Sequence, residues 1–203
     1  MNLPSGAPDD EAVWCAAVGG SAEAWDQLFV RHHRAVYTYC FRRTASWSAA
    51  EDLTSAVFLE AWRRRAEVRT PGATALPWLY GIATMLTRNH HRTLRRQRAA
   101  LDRVPSPGPG LDPAEDVAAR VDAEREMALV LAAMRGLSRK DREVLALAAT
   151  GRLSHAEIAA ALGIAPGTVK SRLSRARERL GAQLGHLARP EPTFSADARS
   201  RRQ

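Results

Sequence analysis

Cysteine is nearly missing from this chain of 203 residues: only Cys15 and Cys40 occur, each inside an apolar stretch patterned as helix. Two isolated cysteines make no disulfide framework and no paired CxxC, so buried free thiols in a reducing compartment are expected. No apolar run approaches the roughly 20 residues that cross a bilayer, which excludes insertion through a helix. The opening MNLPSGAPDD has neither the basic nor the apolar segment of a secretory signal, and a soluble, cytoplasmic protein is the expectation. Strand-like alternation is absent too. So are the catalytic signatures: there is no P-loop, no GxSxG and no HExxH. His32, His33 and Cys40 share one helix without the ligand spacing of a zinc site, and His32 reads as a core residue. Neither catalysis, nor a metal, nor a cofactor is expected.

What is present is helical periodicity and positive charge, a net +8 that suits a polyanionic partner. A short helix around Glu11–Val18 closes at Gly19-Gly20. Over 22–43, Trp25, Leu28, Phe29, His32, Val36 and Cys40 are expected to form one buried stripe. Ser48-Ala-Ala-Glu51 has the form of a capping box and opens a helix with the inner face Leu53, Val57, Phe58, Ala61 and Trp62. Arg69-Thr-Pro-Gly-Ala-Thr-Ala interrupts the pattern. Pro77 suits the first turn of PWLYGIATMLTRNHHRTLRRQR, apolar in its first half and basic in its second. VPSPGPGLDP, 104–113, packs four prolines and two glycines into ten residues and marks a linker. Four more helices are expected at about 114–135, 139–150, 155–162 and 166–184. The fold class is all-α: two small helical domains, 9–102 and 114–184, joined by the flexible linker 103–113 and followed by a disordered tail, 185–203.

The most lopsided stretch is APGTVKSRLSRARERL, 165–180, with Lys170, Arg172, Arg175, Arg177 and Arg179 against the single acid Glu178. A solvated helix face usually mixes its charges. The residues before it explain the bias. Ser154-His-Ala-Glu157 is a capping box that starts a helix, Gly163 ends it, and Pro166 opens the next, anchored by Val169 and Leu173. Two short helices joined by a tight glycine turn form a helix-turn-helix, whose second helix enters the DNA major groove. Lys170, Ser171, Arg172, Ser174 and Arg175 are then the readers, with Thr168 and Arg177 at either end. Arginine suits guanine O6 and N7, while lysine and serine suit phosphates.

AEDLTSAVFLEAW, a loop and PWLYGIATMLTRNHHR resemble region 2 of bacterial sigma factors. LSRKDREVLALAATGRLSHAEIAAALGIAPGTVKSRLSRARERL resembles their region 4. In this order, over about residues 9–184, with only a short linker and no further region between or before them, the chain resembles an extracytoplasmic-function sigma factor. The resemblance implies three partners: core RNA polymerase (its clamp helices and flap), promoter DNA, and an inhibitory anti-sigma factor. It implies polymerase binding around Asp52 to Arg65, through Asp52, Glu60, Trp62 and Arg64. It implies −10 recognition and melting by the loop residues Arg69, Thr70, Pro71, Gly72, Ala73 and Thr74, and by Met85, Arg88 and Arg92 on the following helix. Capturing unstacked bases needs a pocket and a positive surface, and Arg88, His90, His91, Arg92, Arg95, Arg96 and Arg98 would supply the latter. The −35 element falls to the helix from Pro166. Four positions depart from the family pattern. Ser55, Met85 and Asn89 stand where Gln, Asn and Asp are common, and Val68 where an aromatic is. Trp62 lies on an apolar stripe, while Trp78 and Tyr80 fit either the core or a base-stacking platform. An apolar, partly exposed surface around Phe58, Trp62 and Trp78 would suit the inhibitory partner. The competing reading is a helix-turn-helix transcriptional regulator that binds operator DNA without polymerase. A pure interaction protein is a third, but it has no need of the basic helix.

Overall fold

The computed structural model describes residues 9–68, 74–101 and 115–187. Among them the backbone forms α1 (Asp10–Val18), α2 (Ala22–Thr44), α3 (Trp47–Arg64), α4 (Leu76–Leu101), α5 (Glu115–Ala133), α6 (Arg139–Ala148), α7 (His155–Leu162) and α8 (Pro166–Leu187), with short 3-10 turns after α3 and α5. No strand occurs among the described residues. The expected linker 103–113 lies outside them, as does the tail from 188; α8 itself runs past the expected end at 184.

Serines start the helices. Ser21, Ser46, Ser138 and Ser154 each accept a hydrogen bond from the backbone N–H three residues on, satisfying a donor that the helix leaves free. The expected cap at Ser48 is therefore corrected to Ser46. Ala45, in the left-handed region (φ 52°), turns the chain sharply after α2, so α3 already begins at Trp47. The Trp47 indole stacks on Phe41, with centroids 3.7 Å apart.

Trp47 ends an aromatic seam. Every fourth residue of α2 supplies a ring (Trp25, Phe29, His33, Tyr37, Phe41), and α3 runs back along it with Trp47, Phe58 and Trp62. Trp25 meets Trp62 edge-on at 5.2 Å, and Phe29 meets Phe58 at 4.8 Å. Beneath the seam, Trp14, Leu28, Val36, Tyr39, Val57, Leu79 and Tyr80 are buried. The Tyr39 hydroxyl lies 2.7 Å from Thr84 Oγ1, a partner that a buried phenol requires. Cys40 is buried as expected, and burial pushes its thiol up to about 12. Cys15 is not: it is exposed, on the face of α1 opposite the buried Val13, Trp14 and Ala17. His32 is buried, its Nε2 3.2 Å from Asp10 Oδ1.

The second set of helices shares this core. One cluster of buried side chains runs from Val57, Leu79 and Ala83 into Val144, Leu147, Ile158, Val169 and Leu173. Helix α7 lies against α4 and α6 against α2, and α5 meets the start of α3. There Glu124 accepts the Trp47 N–H (2.7 Å) and the Trp47 indole N–H donates to the Arg120 carbonyl (3.0 Å).

Candidate nucleic-acid interface

The turn between α7 and α8 is fixed at both ends. At the start of α7 the capping box is reciprocal: Ser154 N–H donates to Glu157 Oε2 (2.7 Å) and Glu157 N–H donates to Ser154 Oγ (3.2 Å). At its end Gly163 takes φ 62°, where a side chain would be strained. The N–H groups of Gly163 and Ile164 return to the Ala160 and Ala159 carbonyls (3.3 and 3.0 Å), a Schellman closure. Helix α8 then starts after three residues, pinned by the buried Val169, Leu173 and Ala176.

That anchor stripe decides which basic residues face outward. At 100° per residue, Ser171, Ser174, Arg175 and Glu178 lie opposite it, with Lys170 and Arg177 along one flank. All six are exposed. Thr168 is half-buried at the helix start and its carbonyl accepts from the Ser171 hydroxyl (3.1 Å). Arg172 is half-buried on the shoulder of the anchor stripe, because it lies three residues from Val169 and four from Ala176 and so leans toward the same face. Ser174 donates to Glu178 Oε1 (3.1 Å), and Arg179 Nη1 lies 4.0 Å from the buried Asp141 carboxylate.

In the N-terminal set, loop residues 69–73 lie outside the described residues. Thr74 is described: its hydroxyl accepts the Leu76 N–H (3.4 Å) and so starts α4. Met85, Arg88 and Arg92 share one stripe of α4, spaced i, i+3 and i+7. Met85 is half-buried and Arg92 exposed. Arg88, expected free for DNA, instead grips Glu143 of α6 with two hydrogen bonds, Nε–Oε1 3.1 Å and Nη2–Oε2 2.9 Å. His91 is half-buried and its Nε2 lies 2.8 Å from the Arg43 carbonyl; burial, then the Arg43 cation, holds its pKa down. Arg95 and Arg96 are exposed, and the Arg98 side chain lies outside the described residues. Tyr80 is core rather than a stacking platform, 5.2 Å from Tyr39 and 1% exposed. Trp78 is half-buried, tilted against Trp14 at 5.2 Å.

A separate apolar patch covers the α2–α3 seam. Phe29, Val30 and Leu59 are exposed at 39%, 78% and 56%, around a shallow depression lined by Trp25, Asp26, Phe58 and Trp62. The expected patch at Phe58, Trp62 and Trp78 is thus displaced, since Phe58 is buried under the Phe29 ring. Trp62 is half-buried, with the Arg65 guanidinium 3.7 Å above its ring. Asp52 is exposed, Glu60 is half-exposed, and Arg64 is paired with Glu67 at 2.9 Å. Phe58 and Trp62 of the expected patch do line the depression, whereas Phe29, expected in the buried stripe of α2, is exposed.

Residues 28–97 match the family Sigma-70 region 2, and residues 127–180 match Sigma-70, region 4. The ECF RNA polymerase sigma factor SigM of Mycobacterium tuberculosis is 34% identical over 88% of this chain and 86% of its own length. The chain belongs to the extracytoplasmic-function (ECF) subfamily of sigma-70 factors. The probable RNA polymerase sigma factor RfaY of Xanthomonas campestris is 31% identical, and this sigma factor spans 83% of itself and 42% of RfaY in that match. The solved sigma factor RpoE of Bartonella quintana, in complex with the anti-sigma factor NepR, superposes with a TM-score of 0.59 at 26% identity. That match covers 81% of this chain and 98% of RpoE. Family membership assigns the sigma factor to RNA polymerase and transcription initiation and does not favour the polymerase-independent regulator. No described helix is long and apolar enough to cross a membrane.

Proposed function

We propose that this sigma factor reads the −35 element with α8 and the −10 element with α4 and the loop before it, while α3 docks on core polymerase. The observation that carries the reading is the outward face of α8. Lys170, Ser171, Ser174, Arg175 and Arg177 are exposed opposite a buried anchor, in the half of the helix that meets base edges in this motif. Thr168 supports the helix start, and Arg172 lends charge from the shoulder. On α4, the exposed Arg92 stands on one stripe with the half-buried Met85 and with Arg88, which is paired with Glu143, and residues Arg69 to Thr74 precede them as the base-capturing loop. The working units are 9–102 and 114–184, joined through 103–113.

On α3, Trp62 lines the depression beside the exposed Leu59, and Asp52, Glu60 and Arg64 lie on the same helix. Exposed apolar surface of this kind marks a protein partner, here the clamp helices. Leu129 and Val130, exposed at 72% and 49% on α5, offer a second apolar contact for the flap. An anti-sigma factor would use the same surfaces to keep polymerase away. The work is cytoplasmic, where polymerase and chromosome are. Run-off transcription by core polymerase on a promoter library randomised at −35 and −10 tests the reading. A selected consensus at both elements is expected, and an unselected library refutes it.

A further inference from the structure

Asp10, the first residue of α1, gathers side chains from two other parts of the chain. Its Oδ1 accepts a hydrogen bond from Arg31 Nη1 at 3.4 Å and lies 3.2 Å from His32 Nε2, both on α2. The Thr74 hydroxyl donates to the same carboxylate and accepts the Leu76 N–H. Burial by itself raises the Asp10 carboxyl; the Thr74 hydroxyl, then His32 and Arg31, outweigh it and hold the pKa below the ordinary value of 3.8. The group is therefore an anion at neutral pH, the stronger kind of acceptor for a donating hydroxyl.

Helix α1 meets the chain on both sides of residues 69–73. Before them it lies against the short turn Arg65–Glu67. After them Asp10 holds Thr74, and Trp14, 2% exposed, is tilted against Trp78 in the first turn of α4 with centroids 5.2 Å apart. Ala75 and Leu76, which lie between those two contacts in sequence, are buried.

Fixing a chain before and after a short segment removes conformations that the segment would otherwise give up on binding. Thr74 and the start of α4 belong to the −10 reader proposed above. Asp10 itself is a poor DNA contact, since its charge repels phosphate. Its effect on DNA has to pass through Thr74.

We propose that Asp10 is a positioning residue for −10 recognition: bonded to Thr74 and tied to α2 at Arg31 and His32, it sets where α4 begins and how Thr74 is presented to the unstacked strand. This rests on the −10 reading of Thr74 and α4. A merely structural role predicts something else. Asp10 and Glu11 both sit in the first turn of α1, where a carboxylate stabilises the helix through its charge. Glu11 is exposed, so it supplies that charge effect alone.

The test is core-dependent transcription by the full chain from two libraries, one randomised at −10 and one at −35, with a circular dichroism melt of every variant. Asp10→Ala is expected to lower selectivity between the preferred and the next −10 base about three- to tenfold, while the −35 profile keeps its shape. Asp10→Asn keeps an acceptor oxygen for Thr74 and should lose less. Combining Asp10→Ala with Thr74→Val should cost no more selectivity than the more severe of the two alone, because both break one contact. Glu11→Gln should leave both profiles at wild type. A wild-type −10 profile from folded Asp10→Ala overturns the proposal, and so does an equal flattening of both profiles, which simple loss of stability would produce. Where Asp10→Ala does not fold, Asp10→Asn replaces it in the combination with Thr74→Val, and fully additive losses overturn the proposal. Failure of the underlying −10 reading shows separately. Thr74→Val and Arg92→Ala would then leave the −10 profile unchanged as well, whereas a shift from those two alone removes only the role of Asp10.

Discussion

Replacing Arg175 with alanine is expected to relax one −35 base preference and leave the others intact. Arg175 is exposed on α8, four residues from Ser171 and opposite Val169, Leu173 and Ala176. A bidentate arginine–guanine contact discriminates by about 1–3 kcal/mol, roughly five- to 150-fold between the right base and a wrong one. Arg179 is the internal control. It sits 4.0 Å from Asp141 with a half-exposed side chain, so Arg179→Ala should cost at most about 1 kcal/mol, spread evenly over all sequences. Arg172, half-buried on the shoulder, should show a smaller change in preference than Arg175. The assay is core-dependent transcription from templates randomised only at −35, with base frequencies read position by position for each variant. A wild-type profile from Arg175→Ala, alongside a shifted one from Arg179→Ala, would refute the orientation assigned to α8.

Ser154→Ala removes one arm of the capping box on α7 and should cost about 1 kcal/mol. For a unit of roughly 60–100 residues that is about 4–8 °C in Tm, and an unchanged melt by circular dichroism would count against the cap's role. Leu59→Glu places a charge on the exposed apolar patch without touching the core and should weaken core-polymerase binding about tenfold or more. Unaltered retention of core enzyme on the immobilised variant contradicts that. Burial holds the His32 ring below its ordinary value of 6.5 despite the Asp10 carboxylate, and burial with the Arg43 cation does the same to His91. Both rings take up a proton more readily when the chain unfolds. The stability they support is thus complete above pH 6.5 and lost as pH falls below it. Tm should drop between pH 7 and pH 5, and His32→Gln should flatten the drop; a Tm that rises on acidification rules the account out.

The elements legible in the sequence were those fixed by short-range chemistry. Ser154, Glu157, Gly163 and Pro166 lie within thirteen positions of one another, and each sets a local dihedral or satisfies a nearby donor. The α7–turn–α8 geometry therefore follows from composition and spacing alone. The start of α3 was misread for the same reason in reverse. Ser48 and Glu51 satisfy the local pattern, but the stacking of Trp47 on Phe41 and the reach of Glu124 to the Trp47 N–H come from residues six and 77 positions away. Tertiary contact overrode the local signal. Arg172 shows a finer limit. Charge suggested an outward reader, whereas the spacing of Arg172 from Val169 and Ala176 sets it on the shoulder of the anchor stripe, and only the burial pattern of the folded helix shows which side prevails.

The contact between Arg88 and Glu143 marks where sequence reading stops and where the structure adds most. Read locally, Arg88 is one cation in a basic helix end, and Glu143 one acid in the sequence RKDREVLALA. Their 55-residue separation spans the Pro-Gly stretch, and no periodicity relates positions on either side of such a segment. Gly81 is similar: in a single sequence it is only a weak spot inside α4, and its reason appears once Ala161 is beside it. The contacts that bring α6 and α7 to the first four helices are therefore invisible to a local reading, because each joins residues far apart in sequence.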